Sequence, residues 1–150
     1  MSNVSIHTPA EPLALPDPDQ HPGDVVIWDG QCNFCRQQVM RLRKLDWTGR
    51  LSFLSLHDAR VAVRYPQLTH EQLMAEMWLV TPEGQKYGGA DAMRVLSRRM
   101  PALWPLAPLL HVPLAMPLWR TLYGWIARRR YLLAGKNCDS GTCDLHAHRR

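Results

Sequence analysis

Two cysteines separated by two residues, in the run Cys32-Asn33-Phe34-Cys35, follow closely on the β-branched stretch Val25-Val26-Ile27-Trp28 and the turn pair Asp29-Gly30. A strand that stops at Asp29-Gly30 and a helix that starts near Cys32 would set the first sulfur among the unpaired N–H groups of a helix N-terminus, where the dipole favours a thiolate. Cys35 then falls one turn along, on the same side of the helix and within reach of Cys32. Such a dithiol can exchange disulfides, with Cys32 as the attacking thiolate and Cys35, inside the first turn and expected to be the more shielded, as the resolving thiol. Asp29 could accept a proton or, as a nearby negative charge, raise the thiols; equally, Asp29-Gly30 could be only a turn. Trp28, Gly30 and Phe34 flank the pair as candidates for a shallow substrate face, with core packing the alternative for the two aromatics. His57 is read as a loop histidine, with approach to the dithiol as its alternative.

A CxxC is also half of a zinc site, and a second pair of cysteines stands downstream at Cys138 and Cys143. Structural zinc favours close-spaced pairs on knuckle turns, whereas here the first pair follows a buried-type strand and the second is spaced CxxxxC, so redox chemistry is the preferred reading. Cys138 and Cys143 could deliver a second dithiol to the first as a redox relay; with His146 and His148 they could instead form a Cys2His2 metal site, or be accessible thiols with no such role.

The elements that must position these groups form a single domain of α/β type. The chain has 150 residues, of which 46% are hydrophobic, enough for one core. Residues 1–23 carry prolines at 9, 12, 16, 18 and 22 and lack the basic start and apolar stretch of a secretory signal, so they read as a disordered leader and the chain as cytoplasmic. A reducing compartment suits a dithiol that cycles without an organic cofactor. The strand at 25–28 leads into a helix from Cys32 to Leu45, and Leu51 to Leu56 forms a second strand that the helical connection allows to lie parallel to the first. Short helices follow at 58–65 and 69–75, then a hairpin over 77–89 turning at Pro82-Glu83-Gly84-Gln85, and a helix over 92–100 that Asp91 caps or begins. The sheet is therefore small, central and mixed, or parallel at its centre.

Residues 100–119 carry no formal charge, a length that could span a bilayer, but prolines at 101, 105, 108, 113 and 117 interrupt helical hydrogen bonding nearly every turn. Two short helices and a longer one over 118–133 are expected, a proline-rich helical extension that could dock on a membrane surface or a partner. Net charge is +5, concentrated in Arg98-Arg99, Arg128-Arg129-Arg130 and Arg149-Arg150. Arginines at helix ends read as a solvated or dipole-complementing face, and without interleaved aromatics nucleic-acid binding is not expected. Residues 134–150 read as a flexible tail.

The run Asp29-Gly30-Gln31-Cys32-Asn33-Phe34-Cys35 resembles the DGxCxxC signature of the thiol-disulfide oxidoreductase DCC family. The similarity extends in order through the Phe53-Leu54-Ser55-Leu56 strand, the Trp78 to Gly89 hairpin and the Gly89-Ala90-Asp91-Ala92 helix start, covering 24–133. The resemblance implies a thioredoxin-like fold and a dithiol oxidoreductase working through Cys32 and Cys35 on a thiol or disulfide substrate, which could be a protein. The chain departs from thioredoxins in having no proline before Met77-Trp78, where they place a cis-proline. The alternative class is a non-enzymatic docking module whose cysteines sense redox state or bind zinc.

Overall fold

The computed structural model describes residues 15–134. Strand β1 (Asp24–Trp28) is followed by helix α1 (Asn33–Leu45), strand β2 (Leu51–Ser55), helices α2 (Ala59–Arg64) and α3 (His70–Ala75), the hairpin β3 (Trp78–Val80) and β4 (Lys86–Gly88), and helix α4 (Gly89–Arg99). A 3-10 turn (Pro101–Leu106), helix α5 (Ala107–Leu110) and helix α6 (Met116–Ala134) complete the described chain. The strands order as β2-β1-β3-β4, with β1 parallel to β2 and antiparallel to β3, and β3 antiparallel to β4. This is the mixed α/β sheet of a thioredoxin-like fold, with the CxxC helix leaving its central strand.

Alternation along β1 explains why both faces of the sheet are covered. Val26 and Trp28 pack with Val39 and Leu42 of α1 and with Ala92 and Leu96 of α4. Val25 and Ile27 point the other way, into a second cluster with Val61 of α2 and Leu73 of α3. Helix α6 touches α1 and α4 on one side and α3 on the other, so it crosses the end of the sheet between its two layers.

Several boundaries differ from the sequence reading for identifiable reasons. Helix α4 begins at Gly89, ahead of the expected start, and Asp91 lies in its first turn instead of capping it; Gly88 is the N-cap and offers no side chain. Gly89 adopts φ +48°, and a Cβ there would meet the Glu76 carboxylate at 2.2 Å and the Tyr123 ring at 3.0 Å, so the helix opens on glycine to leave room for both. The expected leader ends earlier than residue 23: Leu15 packs against the core, the Pro16 carbonyl accepts the Phe53 amide at 2.9 Å, and Asp17 pairs with Arg60 at 2.8 Å.

The proline-rich stretch is broken as expected into a 3-10 turn and the short α5 before α6. No helix among the described residues is long and apolar enough to cross a membrane. The arginine clusters are less free than their sequence grouping suggests. Arg99 pairs with the buried Asp24 at 2.6 Å, and Arg130 is itself buried.

Candidate active site

Strand β1 ends at Trp28, and the next residue makes the turn into α1. Asp29 Oδ1 accepts the Gln31 amide at 3.0 Å while its backbone carbonyl accepts the Cys32 amide at 3.2 Å, so Asp29 does form the turn. Gly30 is required within it, because a Cβ would lie 2.7 Å from Ser55 Oγ at the end of the neighbouring strand. Cys32 is the N-cap of α1 in an extended conformation, and its sulfur accepts the Cys35 amide at 3.3 Å. The cysteine thus occupies the capping position that serine or aspartate usually fills. Both cysteines are free thiols.

The relative shielding of the pair reverses the expectation. Cys32 is 0% exposed, whereas Cys35 is partly exposed. An N-cap side chain folds back over the first turn it caps, which carries the Cys32 sulfur inward. Burial, a hydrogen bond with Cys32 and the charge of Cys32 push the Cys35 thiol up to about 12; Arg130 works against this shift and Asp29 adds to it.

Asp29 has a second role beyond the turn. Its carboxylate is 2% exposed and receives the His57 ring N–H, with Nε2 lying 3.0 Å from Oδ1. Arg130 of α6 approaches the other oxygen, with Nη2 3.6 Å from Oδ2, and the same nitrogen donates to the Met74 carbonyl of α3. His57 therefore takes the alternative in which it reaches the site: the β1–β2 register pairs Trp28 with Ser55, and the chain beyond each strand brings Asp29 and His57 together. Arg130 was missed as a site residue because it ends an arginine triplet. Helix phase offered the signal: Arg130 lies seven residues beyond Tyr123, on the face α6 buries, while its neighbours Arg128 and Arg129 are exposed.

Tyr123 lies on this buried face, where its hydroxyl accepts the Met77 amide at 3.3 Å. Burial above all raises its phenol to about 12, with the charges of Glu76 and Cys35 adding to the rise. Glu76, ahead of β3, is raised by burial and by the charge of Asp91. Among the sequence candidates for a substrate face, Trp28 is in the core at 9% exposed, while Gly30 and Phe34 remain partly exposed beside the cysteines. Among the described residues there is no cis peptide bond at Met77 or elsewhere, and no group of three or more His, Cys, Asp or Glu side chains arranged to hold a metal ion. Cys138, Cys143, His146 and His148 lie outside the described residues.

Two thiols at a helix start, a buried carboxylate and a buried guanidinium make up a site suited to thiol chemistry. The sequence model of the family described as DCC1-like thiol-disulfide oxidoreductase matches residues 26–136, from within β1 to just beyond α6. The chain is also 28% identical over 120 residues to the uncharacterized protein YuxK of Bacillus subtilis (strain 168), covering 79% of this chain and 85% of that protein. No solved structure matches.

Proposed function

The chain belongs to the DCC1-like thiol-disulfide oxidoreductase family, and on that premise we propose that it exchanges disulfides through Cys32 as nucleophile and Cys35 as resolving thiol. The Cys32 thiolate attacks one sulfur of a substrate disulfide, forming a mixed disulfide and releasing the other half of the substrate as thiolate. Cys35 then gives up its proton and attacks the Cys32 sulfur, which releases the second substrate thiolate and leaves a Cys32–Cys35 disulfide. The substrate gains two electrons, and an external thiol restores the dithiol.

The observation that carries this order is the amide of Cys35 pointing at the Cys32 sulfur. A thiolate there keeps a backbone donor and the helix dipole, whereas Cys35 is held protonated. Accessibility argues the other way, since Cys32 is covered. Ionisation outweighs it: a thiol raised to about 12 is ionised in only roughly one molecule in 10⁵ at neutral pH, while a covered sulfur needs only a local shift of the turn to be reached. Substrate engagement therefore includes movement around Gln31, the exposed residue of that turn. A reducing, cytoplasmic setting fits the free dithiol.

The test is turnover of oxidised glutathione or of a disulfide-bonded protein by the full chain, with Cys138→Ser/Cys143→Ser as background. Cys32→Ser should abolish turnover, and Cys35→Ser should trap a mixed disulfide visible by intact mass. A Cys32→Ser variant that retains turnover overturns the reading.

A specific observation favours surface docking as an accompanying property. The outward face of α6 exposes Leu118, Leu122 and Trp125, with Arg129 stacked over the Trp125 ring at 4.7 Å, and no acidic residue occurs between Asp91 and Asp139. An apolar stripe with Arg128 and Arg129 exposed beside it matches an anionic membrane surface. Co-sedimentation with phosphatidylglycerol vesicles, weakened by Leu122→Glu and absent with phosphatidylcholine, is the expected result; equal binding to both lipids, or to neither, removes it.

A further inference from the structure

We propose that Arg130 is a positioning residue of the dithiol: a buried cation, held in place by Asp29 and the Met74 carbonyl, that favours the Cys35 thiolate as it attacks the mixed disulfide on Cys32. The inference rests on the exchange reaction proposed above and assigns α6 a part in it.

The resolving step sets the need. Cys35 must lose a proton in a pocket where burial and its neighbour Cys32 hold it protonated, and the developing negative charge then sits close to the Asp29 carboxylate. An uncompensated anion in such a place is costly, and a fixed cation is the direct remedy. Arg130 is the cation present. Its side chain is 6% exposed, it acts on Cys35 in the direction that favours ionisation, and its Nη2 is held by the carboxylate at 3.6 Å and by the Met74 carbonyl of α3. Both contacts are made by Nη2, so one end of the guanidinium is anchored between a carboxylate and a carbonyl.

Asp29 sets how much of that charge the sulfur feels. The carboxylate draws on the guanidinium while itself raising Cys35, and the His57 N–H on its other oxygen offsets part of its charge. The groups that act on Cys35 are thus Asp29 from the turn after β1 and Arg130 from α6, with Tyr123 of α6 coupled to it, His57 from beyond β2 held against Asp29, and Glu76 acting on Tyr123 from ahead of β3. The sulfur that must ionise therefore feels a carboxylate and a guanidinium, paired with each other, of opposite effect.

That opposition gives a test whose sign separates electrostatics from loosening. The rate at which iodoacetamide labels Cys35 in the full-length chain is read by peptide mass spectrometry, with unfolding midpoints measured in parallel. Arg130→Gln should slow labelling by about tenfold and Asp29→Asn should accelerate it by about tenfold, the effect of one unit of thiol pKa on the thiolate fraction. Arg130→Lys should fall between Arg130→Gln and wild type. If both residues only hold the structure together, both neutral variants expose Cys35 and both accelerate labelling, which overturns the proposal.

Arg130→Gln alone leaves Asp29 buried without its guanidinium and could unfold the chain, so the decisive comparison is made within Asp29→Asn. Adding Arg130→Gln to that variant should again slow Cys35 about tenfold. Unchanged or faster labelling sinks the proposal. Labelling of Cys35 requires no turnover, so a chain that fails to reduce oxidised glutathione yet shows these opposed shifts would refute the exchange reaction and leave the electrostatic assignment standing.

Discussion

His57 Nε2 lies 3.0 Å from Asp29 Oδ1, and the carboxylate it meets is 2% exposed while the histidine side chain is 31% exposed. One partner of the pair is thus sealed in the protein and the other reaches solvent. His57→Ala leaves the buried oxygen without this donor and is expected to lower stability by about 1–3 kcal/mol, with His57→Gln closer to wild type because its amide can donate. Urea unfolding at neutral pH measures both; identical midpoints for all three chains would show that the contact contributes nothing.

Alkaline pH should destabilise the fold through two groups that α6 and α1 bring into one pocket. Cys35 is raised from 9.0 to about 12 and Tyr123 from 10.0 to about 12, both chiefly by burial. Each keeps its proton in the folded chain after the unfolded chain has released it, so the folded state binds more protons and stability falls as pH rises. The contribution is complete below the unfolded values of 9.0 and 10.0 and is lost on the way to about 12. Denaturation midpoints followed from roughly pH 8 to pH 11 should drop less steeply in Cys35→Ser and in Tyr123→Phe than in wild type.

Gly89→Ala is expected to disturb the site through its neighbours Glu76 and Tyr123. The φ of +48° strains any residue with a Cβ, and that Cβ would press on the Glu76 carboxylate and the Tyr123 ring. A loss of at least about 1–3 kcal/mol follows from the backbone alone. Displacing Tyr123 also removes the acceptor of the Met77 amide, so the urea midpoint should fall further than for Gly84→Ala, where φ is +81° but nothing lies within 4 Å. Equal losses at the two glycines would show that the contacts around Gly89 carry no weight.

Acid should act at the other end of the molecule. Hydrogen bonding to Arg60 first, and to the Asp19 amide next, lowers Asp17 from 3.8 to about 2. A depressed acid contributes stability that is present above its unfolded value and disappears as pH falls through its folded value. The stability difference between wild type and Arg60→Ala should therefore be constant above about pH 4 and shrink toward pH 2. A difference that persists unchanged at pH 2 would assign the role of Arg60 to packing.

Most of the fold could be read from periodicity and punctuation. The β-branched run before Asp29-Gly30, the alternation at 51–56 and the Pro-Glu-Gly turn are local signals, and each produced the element it announced. The missed features depend on relations between segments. The local capping signal at Asp91 set the start of α4 late, because its N-terminus accommodates Glu76 instead of using a capping side chain of its own, whereas the family resemblance already put the helix start at Gly89-Ala90-Asp91-Ala92. His57 required the register of a parallel strand pair, and Arg130 required the phase of a long helix whose outward face is also apolar. The exposure of the cysteines was misjudged because depth along a helix is a poor guide to depth in a protein when the first residue folds back over its own turn.

The sulfur of Cys32 closes the first turn of α1, which makes one atom both a chemical reagent and a structural fastener. Any bond formed to that sulfur changes how well it accepts the Cys35 amide, so the oxidised, mixed-disulfide and reduced forms each begin α1 with a different strength. By thermodynamic reciprocity the reverse also holds: whatever tightens or frays the start of α1 shifts the dithiol's midpoint potential, at about 30 mV for each 1.4 kcal/mol.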